Sequence, residues 1–376
     1  MSTKSIKLFV DAHAMDREYQ GTYTFVHGLY TALLAKYPQV DVYFGTSYPD
    51  RLAAAFPQLS KDRILAYKNA KPGILRYLTD IPRYIKTHKF DFAHFQYIIP
   101  RSNGRCRYIV TLHDNVFNDF KQYFSFRYRK RREYLFAWSI KNAAIKTTVS
   151  AYSKERIANY HQLDECDINI LANGVETVNN FNQVDKDIAA KHVFENYGIK
   201  NYLLYVSRVE GRKNHQLLLK TWLKLELYKQ HISLVFIGKT SVPVAELQAI
   251  VNSLTEEQKR YFYAIEQVGP NDLAMFYKAC RAFVYPTVAE GFGIPPLEAA
   301  MHRVPVLCSS ATAMQSFDFF EPYFFDPYKE EEFAAKLQSI LRNPPTFAFL
   351  ENIAEQIQQR YNWQQTADTL YKLLQS

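Results

Sequence analysis

Tyr285-Pro286-Thr287-Val288-Ala289-Glu290-Gly291-Phe292-Gly293-Ile294-Pro295-Pro296-Leu297-Glu298-Ala299-Ala300 decides how this chain is read. Its two carboxylates, Glu290 and Glu298, stand eight positions apart, with a Gly-Phe-Gly turn and a Pro-Pro pair between them. The spacing is helical, yet no unbroken helix can hold it: glycine weakens a helix, and an interior proline removes a backbone donor and clashes with the preceding turn. The segment predicts a strand over Ala282–Tyr285, a glycine loop, and a helix opening near Pro295 or Pro296, where proline is favoured. Glu290 then lies on the loop and Glu298 in the first helical turn. Free N–H groups at such a helix start attract phosphate. Hydroxyl-binding carboxylates on either side of a phosphate-binding helix end suit a nucleotide sugar, one acid for the ribose and one for the hexose.

A second segment, Tyr202-Leu-Leu-Tyr-Val-Ser207-Arg208-Val-Glu-Gly-Arg212-Lys213-Asn214-His215, reads as an apolar strand and a basic turn. An amphipathic helix follows through Leu217, Leu218, Trp222, Leu223 and Leu227. Cations at the C-terminal end of a strand suit a leaving pyrophosphate, whose developing charge must be neutralised.

Together the two segments resemble the E-x7-E signature and the strand–Gly-Arg–x4–Lys-Gly/Asn element of retaining GT-B glycosyltransferases, family 4 (glycosyl transferases group 1). Three further stretches are similar to that family: Ile109-Val-Thr-Leu-His113-Asp114, Ile170-Leu-Ala-Asn173-Gly174-Val175, and Val304-Pro-Val-Leu-Cys308-Ser309-Ser310. The last helix, from Tyr361-Asn-Trp363 through Leu373-Leu374, is similar as well. The resemblance implies an α/β GT-B fold, two Rossmann-like domains facing across a cleft. Residues 1–178 would bind the acceptor and residues 179–360 the nucleotide sugar, while 361–376 would form a closing helix packed back on the first domain.

Roles carry over to matching positions only. Arg208 and Lys213 would hold the donor diphosphate. Glu298 would accept from the ribose hydroxyls, and Glu290 would grip the hexose, helped by the N–H groups of Phe292, Gly293 and Ile294. Gly291 and Leu297 complete the expected donor site, and Gly21 would let the first loop approach the donor. His113 would sit near the sugar and the incoming hydroxyl, which makes the expected catalytic set Arg208, Lys213, Glu290 and His113. The family retains anomeric configuration without an obvious protein nucleophile; no general base is assigned, and Asp114 is the one candidate. Three departures bear on the acceptor side. Arg303 stands where the family usually has glycine, Gln315 is nearest to a missing glutamate, and Glu18-Tyr19-Gln20-Gly21-Thr22-Tyr23 replaces a glycine-rich loop.

A chain of 376 residues has room for two domains with substantial cores, and 48% hydrophobic with 22% charged residues marks a globular chain. No apolar run approaches the roughly 18 residues needed to span a bilayer. Met1 to Asp11 reads as a first strand and not as a secretory leader. Cys106, Cys166, Cys280 and Cys308 are widely spaced and read as reduced thiols of a cytoplasmic protein, with no zinc spacing.

The net charge of +9 is unevenly divided. Residues 1–178 carry 26 Lys/Arg against 16 Asp/Glu, whereas 179–376 carry 20 against 21. The excess is densest around Arg127, Arg129, Lys130, Arg131 and Arg132, with Tyr128, Phe136 and Trp138 nearby. This pattern fits a solvated helix face, or contact with an anionic membrane or a lipid-pyrophosphate acceptor. Nucleic acid is not expected, because no compact binding motif accompanies the patch.

Alternating strand and helix patterns imply βαβ units. Strands are expected at Ile6–Val10, Val40–Phe44, Phe90–Phe95, Tyr108–Leu112 and Lys146–Ser150, with helices over Tyr23–Lys36 and Ile74–Thr87. After a linker over Glu176–Lys186, strands are expected at Tyr202–Val206, Ile232–Ile237, Tyr263–Val268, Ala282–Tyr285 and Pro305–Leu307. A dinucleotide dehydrogenase would need Gly-x-Gly-x-x-Gly after the first strand, and Val10-Asp-Ala-His-Ala14 has none. Asp185-Lys-Asp187 reads as a cap before a helix over Ile188–Tyr197, so neither a metal nor any other cofactor is implied. The expected activity is metal-independent, retaining hexosyl transfer from GDP-mannose or a UDP-sugar to a glycan or lipid-linked saccharide in bacterial surface polysaccharide or lipopolysaccharide synthesis, at the inner face of the membrane. The competing reading is a non-catalytic binding or scaffold protein on the same fold.

Overall fold

The computed structural model describes residues 5–16, 21–68, 73–101, 104–178 and 183–376. It divides into two compact units, one of Met1–Gly174 with Tyr361–Ser376, the other Val175–Arg360. The division falls at 174/175, earlier than the 178/179 boundary read from the sequence. Part of the expected linker and residues 18–20 of the first loop lie outside the described residues.

The first unit is built on seven parallel strands: β1 (Ile6–Asp11), β2 (Val40–Thr46), β3 (Ile64–Ala66), β4 (Phe92–Gln96), β5 (Arg107–Leu112), β6 (Ile145–Thr148) and β7 (Ile168–Ile170). Their order is β3-β2-β1-β4-β5-β6-β7. Leu8, Phe9, Val10, Ile109 and Val110 are fully buried, as continuous apolar runs in a sheet covered on both faces must be. The second unit carries β8 (Tyr202–Val206), β9 (Ser233–Ile237), β10 (Phe262–Ile265), β11 (Ala282–Tyr285), β12 (Val306–Ser309) and β13 (Phe324–Phe325) in the order β10-β9-β8-β11-β12-β13, again all parallel. The short edge strands β3, β7 and β13 escaped the sequence reading; two or three residues carry too little periodicity to register.

The helices that matter below are α1 (Gly21–Lys36), α2 (Phe126–Asn142), α3 (His215–Lys224), α4 (Pro270–Ala279), α5 (Ile294–Met301), α6 (Phe347–Arg360) and α7 (Trp363–Gln375). The expected helix over Ile74–Thr87 is broken into Ile74–Leu78 and Asp80–His88. Pro82 explains the break: it has no N–H for the carbonyl of Leu78, and its ring would strike that carbonyl in a continuous helix. The helix expected from Ile188 begins at Gln183, which places Asp185 in its first turn and not at its cap. Gln183 donates to the Asp187 carboxylate (2.9 Å).

Within the first unit, α7 packs against α1 through a fit that only glycine permits. A Cβ at Gly28 would lie 2.1 Å from the Trp363 ring, and one at Gly174 would lie 2.6 Å from the Trp363 backbone nitrogen. Tyr371 stacks on Tyr37 at 3.9 Å, Asp368 pairs with Lys36 (2.7 Å), and Thr366 donates to the Ala172 carbonyl (2.7 Å). These contacts account for the grouping of the C-terminal helix with the N-terminal sheet.

In each sheet the chain reverses its direction of strand addition next to the first strand, between β1 and β4 and between β8 and β11. Open α/β sheets bind ligands outside the strand C-termini at such a switch point.

Candidate functional site

The switch point of the second sheet gathers charge. From the end of β8 the chain runs into a 3-10 turn at Gly211–Lys213; from the end of β11 it enters the loop that carries Glu290. The turn and the loop are stitched by backbone: Val288 donates to the Arg212 carbonyl (2.9 Å). Lys213 is held by the Tyr205 hydroxyl, which donates to its carbonyl at 2.7 Å.

Glu290 is 9% exposed and accepts from four side chains. Lys213 Nζ, Tyr285 Oη (2.9 Å) and Thr287 Oγ1 (3.3 Å) converge on Oε1, whereas Oε2 accepts from Arg212 Nη1 (3.0 Å). Oε1 is thus saturated, while Oε2 has capacity for a ligand hydroxyl. Burial alone would raise the Glu290 pKa, but Lys213 and Arg212 overcome it and hold the carboxyl at about 2. Lys213 shares the site less comfortably. Burial and the neighbouring Arg212 push its pKa down, against the pull of Glu290.

The sequence paired Lys213 with Arg208; the structure pairs it with Arg212. Arg212 reaches Glu290, the Ala289 carbonyl (2.6 Å) and Glu210 (2.6 Å). Arg208 is exposed, and among the described residues no hydrogen bond or ion pair joins it to this cluster. The adjacent Arg-Lys pair was the available signal, since both side chains are long enough to reach one carboxylate from the same turn.

Helix α5 opens at Ile294 behind Gly293, whose φ of +97° suits glycine. Pro295 and Pro296 remove two of the N–H groups that a helix start normally offers, leaving Ile294 and the loop amides to meet an anion. Leu297 is fully buried and can offer a ligand no side chain. Phe292 is buried edge-on against Phe317 (5.9 Å), and Gly291 is buried beside it. Glu298 lies one helical turn on and accepts from the Tyr277 hydroxyl (2.9 Å). Burial raises its pKa and the Tyr277 hydrogen bond opposes the rise.

At the switch point of the first sheet, the end of β1 carries the buried Asp11, paired with His13 (2.9 Å) and Arg76 (3.6 Å), while aromatic rings surround the end of β5. His113 follows β5, is 8% exposed, and its Nε2–H donates to Gln96 Oε1 at 2.7 Å, leaving Nδ1 as an acceptor. Phe25 packs edge-on against the ring (4.8 Å) and burial lowers its pKa to about 3, so the imidazole stays uncharged. Asp114 is turned into local structure, its Oδ1 accepting from Val116 N–H (3.4 Å). Gly21 is the exposed first residue of α1.

Residues 19–179 match the family model Glycosyltransferase Family 4, and residues 188–360 match the model Glycosyl transferases group 1. The chain belongs to the family 4, group 1 glycosyltransferases. Among its relatives is the O-antigen chain mannosyltransferase RfbU of Salmonella typhimurium, 25% identical over 244 residues, which are 65% of this chain and 63% of that protein. The match therefore spans less than two thirds of that relative's length. The fold is GT-B. The sucrose-phosphate synthase of Thermosynechococcus elongatus superimposes with a TM-score of 0.74 over 99% of this chain and 98% of its own, at 17% identity. Anabaena HepE, solved with UDP-glucose, gives 0.70 over 98% and 99% at 15% identity.

Where this glycosyltransferase departs from its family, the structure supplies reasons. Arg303 keeps the left-handed backbone that glycine would adopt (φ +51°). It is anchored there by a bidentate pair with Glu351 of α6 (both contacts 2.9 Å) and by the Val178 carbonyl (2.7 Å). Gln315 is exposed. A cavity of about 790 Å³ lined in part by Lys186, Arg281 and Arg303 opens at the N-terminal edge of the second sheet, away from Glu290. Its two guanidiniums are already engaged, Arg303 by Glu351 and Arg281 by Asn201 and the Leu341 carbonyl.

The basic run falls on α2 and divides. Arg132 is committed to aromatic faces, 4.6 Å from the Tyr128 ring and 5.3 Å from Phe136. Arg129 lies 5.8 Å from the Phe126 ring, and Lys130 pairs with Glu133 (2.8 Å). Arg127 and Arg131 are exposed, as are Phe126 (64%) and Tyr134 (60%).

Proposed function

We propose that the protein is a retaining mannosyltransferase that uses GDP-mannose and acts on a saccharide or lipid-linked acceptor of a bacterial surface polysaccharide. The observation that carries the reading is the cluster of buried Lys213 and Glu290 with the half-buried Arg212 at the switch point of the second sheet. The Salmonella relative's mannosyl transfer to an O-antigen chain supports mannose and the acceptor class. The UDP-glucose bound to the Anabaena neighbour supports a nucleotide-sugar donor and keeps UDP-sugars as the second choice.

In this reading Lys213 and Arg212 meet the charge that develops on the departing diphosphate, with the Ile294 N–H and the exposed Arg208 assisting. Glu290 Oε2 accepts from a hexose hydroxyl. The ribose hydroxyls fall to Glu298. The first unit takes the acceptor, and the neutral His113 offers Nδ1 to a sugar hydroxyl. Side chains, rather than a bound metal, compensate the diphosphate.

A thermal-shift series with millimolar GDP, UDP, ADP, dTDP and CMP, in the presence of EDTA, tests the donor. A nucleotide at a hundred times its Kd adds about 2.7 kcal/mol, so GDP is expected to raise the melting midpoint by several degrees and Glu298→Ala to abolish the shift. Stabilisation by UDP alone would replace mannose with a UDP-sugar. Indifference to every nucleotide would favour a binding protein.

Exposed Phe126 and Tyr134 beside Arg127 and Arg131 fit peripheral contact with anionic lipid, each cation contributing about 1 kcal/mol near the surface. Flotation with phosphatidylglycerol-containing vesicles should recover the wild type and lose most of an Arg127→Glu/Arg131→Glu variant. Equal recovery of both would leave α2 a solvated face.

A further inference from the structure

Glu298 does not stand alone at the second unit's site. Tyr277, near the end of α4, is 3% exposed and points its hydroxyl at Glu298 Oε2 (2.9 Å). Its ring is clamped between the Phe283 ring of β11 (5.6 Å) and the His302 ring that follows α5 (5.9 Å, nearly parallel). A buried phenol must place its O–H on a partner, and this one places it on Glu298. The carboxylate is thereby fixed about its terminal torsion, an otherwise soft degree of freedom. Oε2 accepts from Tyr277, which turns the carboxylate so that Oε1 can accept from a ligand.

We propose that Tyr277 is a positioning residue for nucleotide recognition: it locks Glu298 in the rotamer that accepts hydrogen bonds from a ribose. The proposal rests on the reading of Glu298 as the ribose contact. The electrostatics agree with it. Burial and the nearby Glu176 both raise the Glu298 pKa, and the Tyr277 hydrogen bond is what opposes them. His302 adds no compensating cation, because burial lowers its own pKa to about 4. Without the phenol, Glu298 would be free to rotate or to take up a proton, and a protonated acid accepts far more weakly from a hydroxyl.

The experiment compares equilibrium binding of GDP with that of 2′,3′-dideoxy-GDP, and of UDP with 2′,3′-dideoxy-UDP, to the wild type, Tyr277→Phe and Glu298→Gln. The wild type should prefer the ribonucleotide by about tenfold, the value of one charge-assisted hydrogen bond. Tyr277→Phe should reduce the preference to below about threefold while leaving pyrophosphate binding unchanged. Tyr277→Phe removes one atom and keeps the ring, and pyrophosphate binding reports that the site is still folded. A wild-type preference retained in Tyr277→Phe would overturn the proposal and leave Glu298 as the ribose contact. A wild type without a preference, or a preference that survives Glu298→Gln, would overturn the ribose reading and the proposal together.

Discussion

Lys213→Ala should lower kcat about a hundredfold, in line with the loss of one group that meets transition-state charge. Lys213 is 9% exposed and sits with Arg212 on one carboxylate, a fixed position that an exposed side chain such as Arg208 does not share. The substitution also leaves Glu290 facing Arg212, Tyr285 and Thr287 alone. Breaking a fully buried pair costs about 3–5 kcal/mol; with three donors retained, a loss of about 1–3 kcal/mol is expected. Single-turnover rates and a urea titration separate the two effects. A folded Lys213→Ala protein with near wild-type kcat would remove Lys213 from the chemistry.

Glu290→Gln should separate sugar transfer from nucleotide binding. Glutamine keeps the shape and can still accept from Lys213, but it cannot neutralise two adjacent cations. Freed of their counter-charge, Lys213 and Arg212 should hold GDP at least as tightly as in the wild type. The hexose loses its carboxylate, and kcat should fall about a hundredfold. Parallel loss of GDP affinity and turnover would make Glu290 a structural residue.

The same variant carries a pH signature. The folded-state pKa of Glu290, about 2, lies below its ordinary 4.5. Its ionised form therefore stabilises the fold above pH 4.5, and that contribution disappears as the pH falls from 4.5 towards 2. Linkage sets its ceiling at about 3 kcal/mol. The net value for the cluster is smaller, because Lys213 is charged at some cost, as its lowered pKa records. Melting midpoints measured from pH 5 to pH 3 should fall more gently in Glu290→Gln than in the wild type. Identical slopes would mean that Glu290 is not held ionised by its neighbours.

The route from Arg208 to Arg212 shows where linear reading stops. The x4 spacing from Arg208 to Lys213 is legible in the sequence. Which cation faces Glu290 depends on the 3-10 geometry of Gly211–Lys213 and on the β11 loop stitched beneath it, a contact more than seventy residues away in sequence. Tyr277 is a similar case. Nothing in its own helix sets it apart from a core aromatic; only the packing of α4 against α5 gives its hydroxyl a carboxylate. The basic run at 127–132 was visible at once, yet the division between cations spent on aromatic rings and cations left to solvent follows from the helix surface it lies on.

The sequence by itself determined the strands of the inner sheets, the loop-then-helix form of the Glu290–Glu298 segment and the family. These are local facts: runs of apolar residues, glycine and proline stereochemistry, and motif spacing act over a few residues. The tertiary structure decided the order of the strands, the grouping of α7 with the first sheet and the partners of each charge at the site. Those depend on close approach between distant segments. A glycine at 28 earns its place only because Trp363 lies over it, and Glu290 is ionised only because two cations from another strand's turn lie beside it.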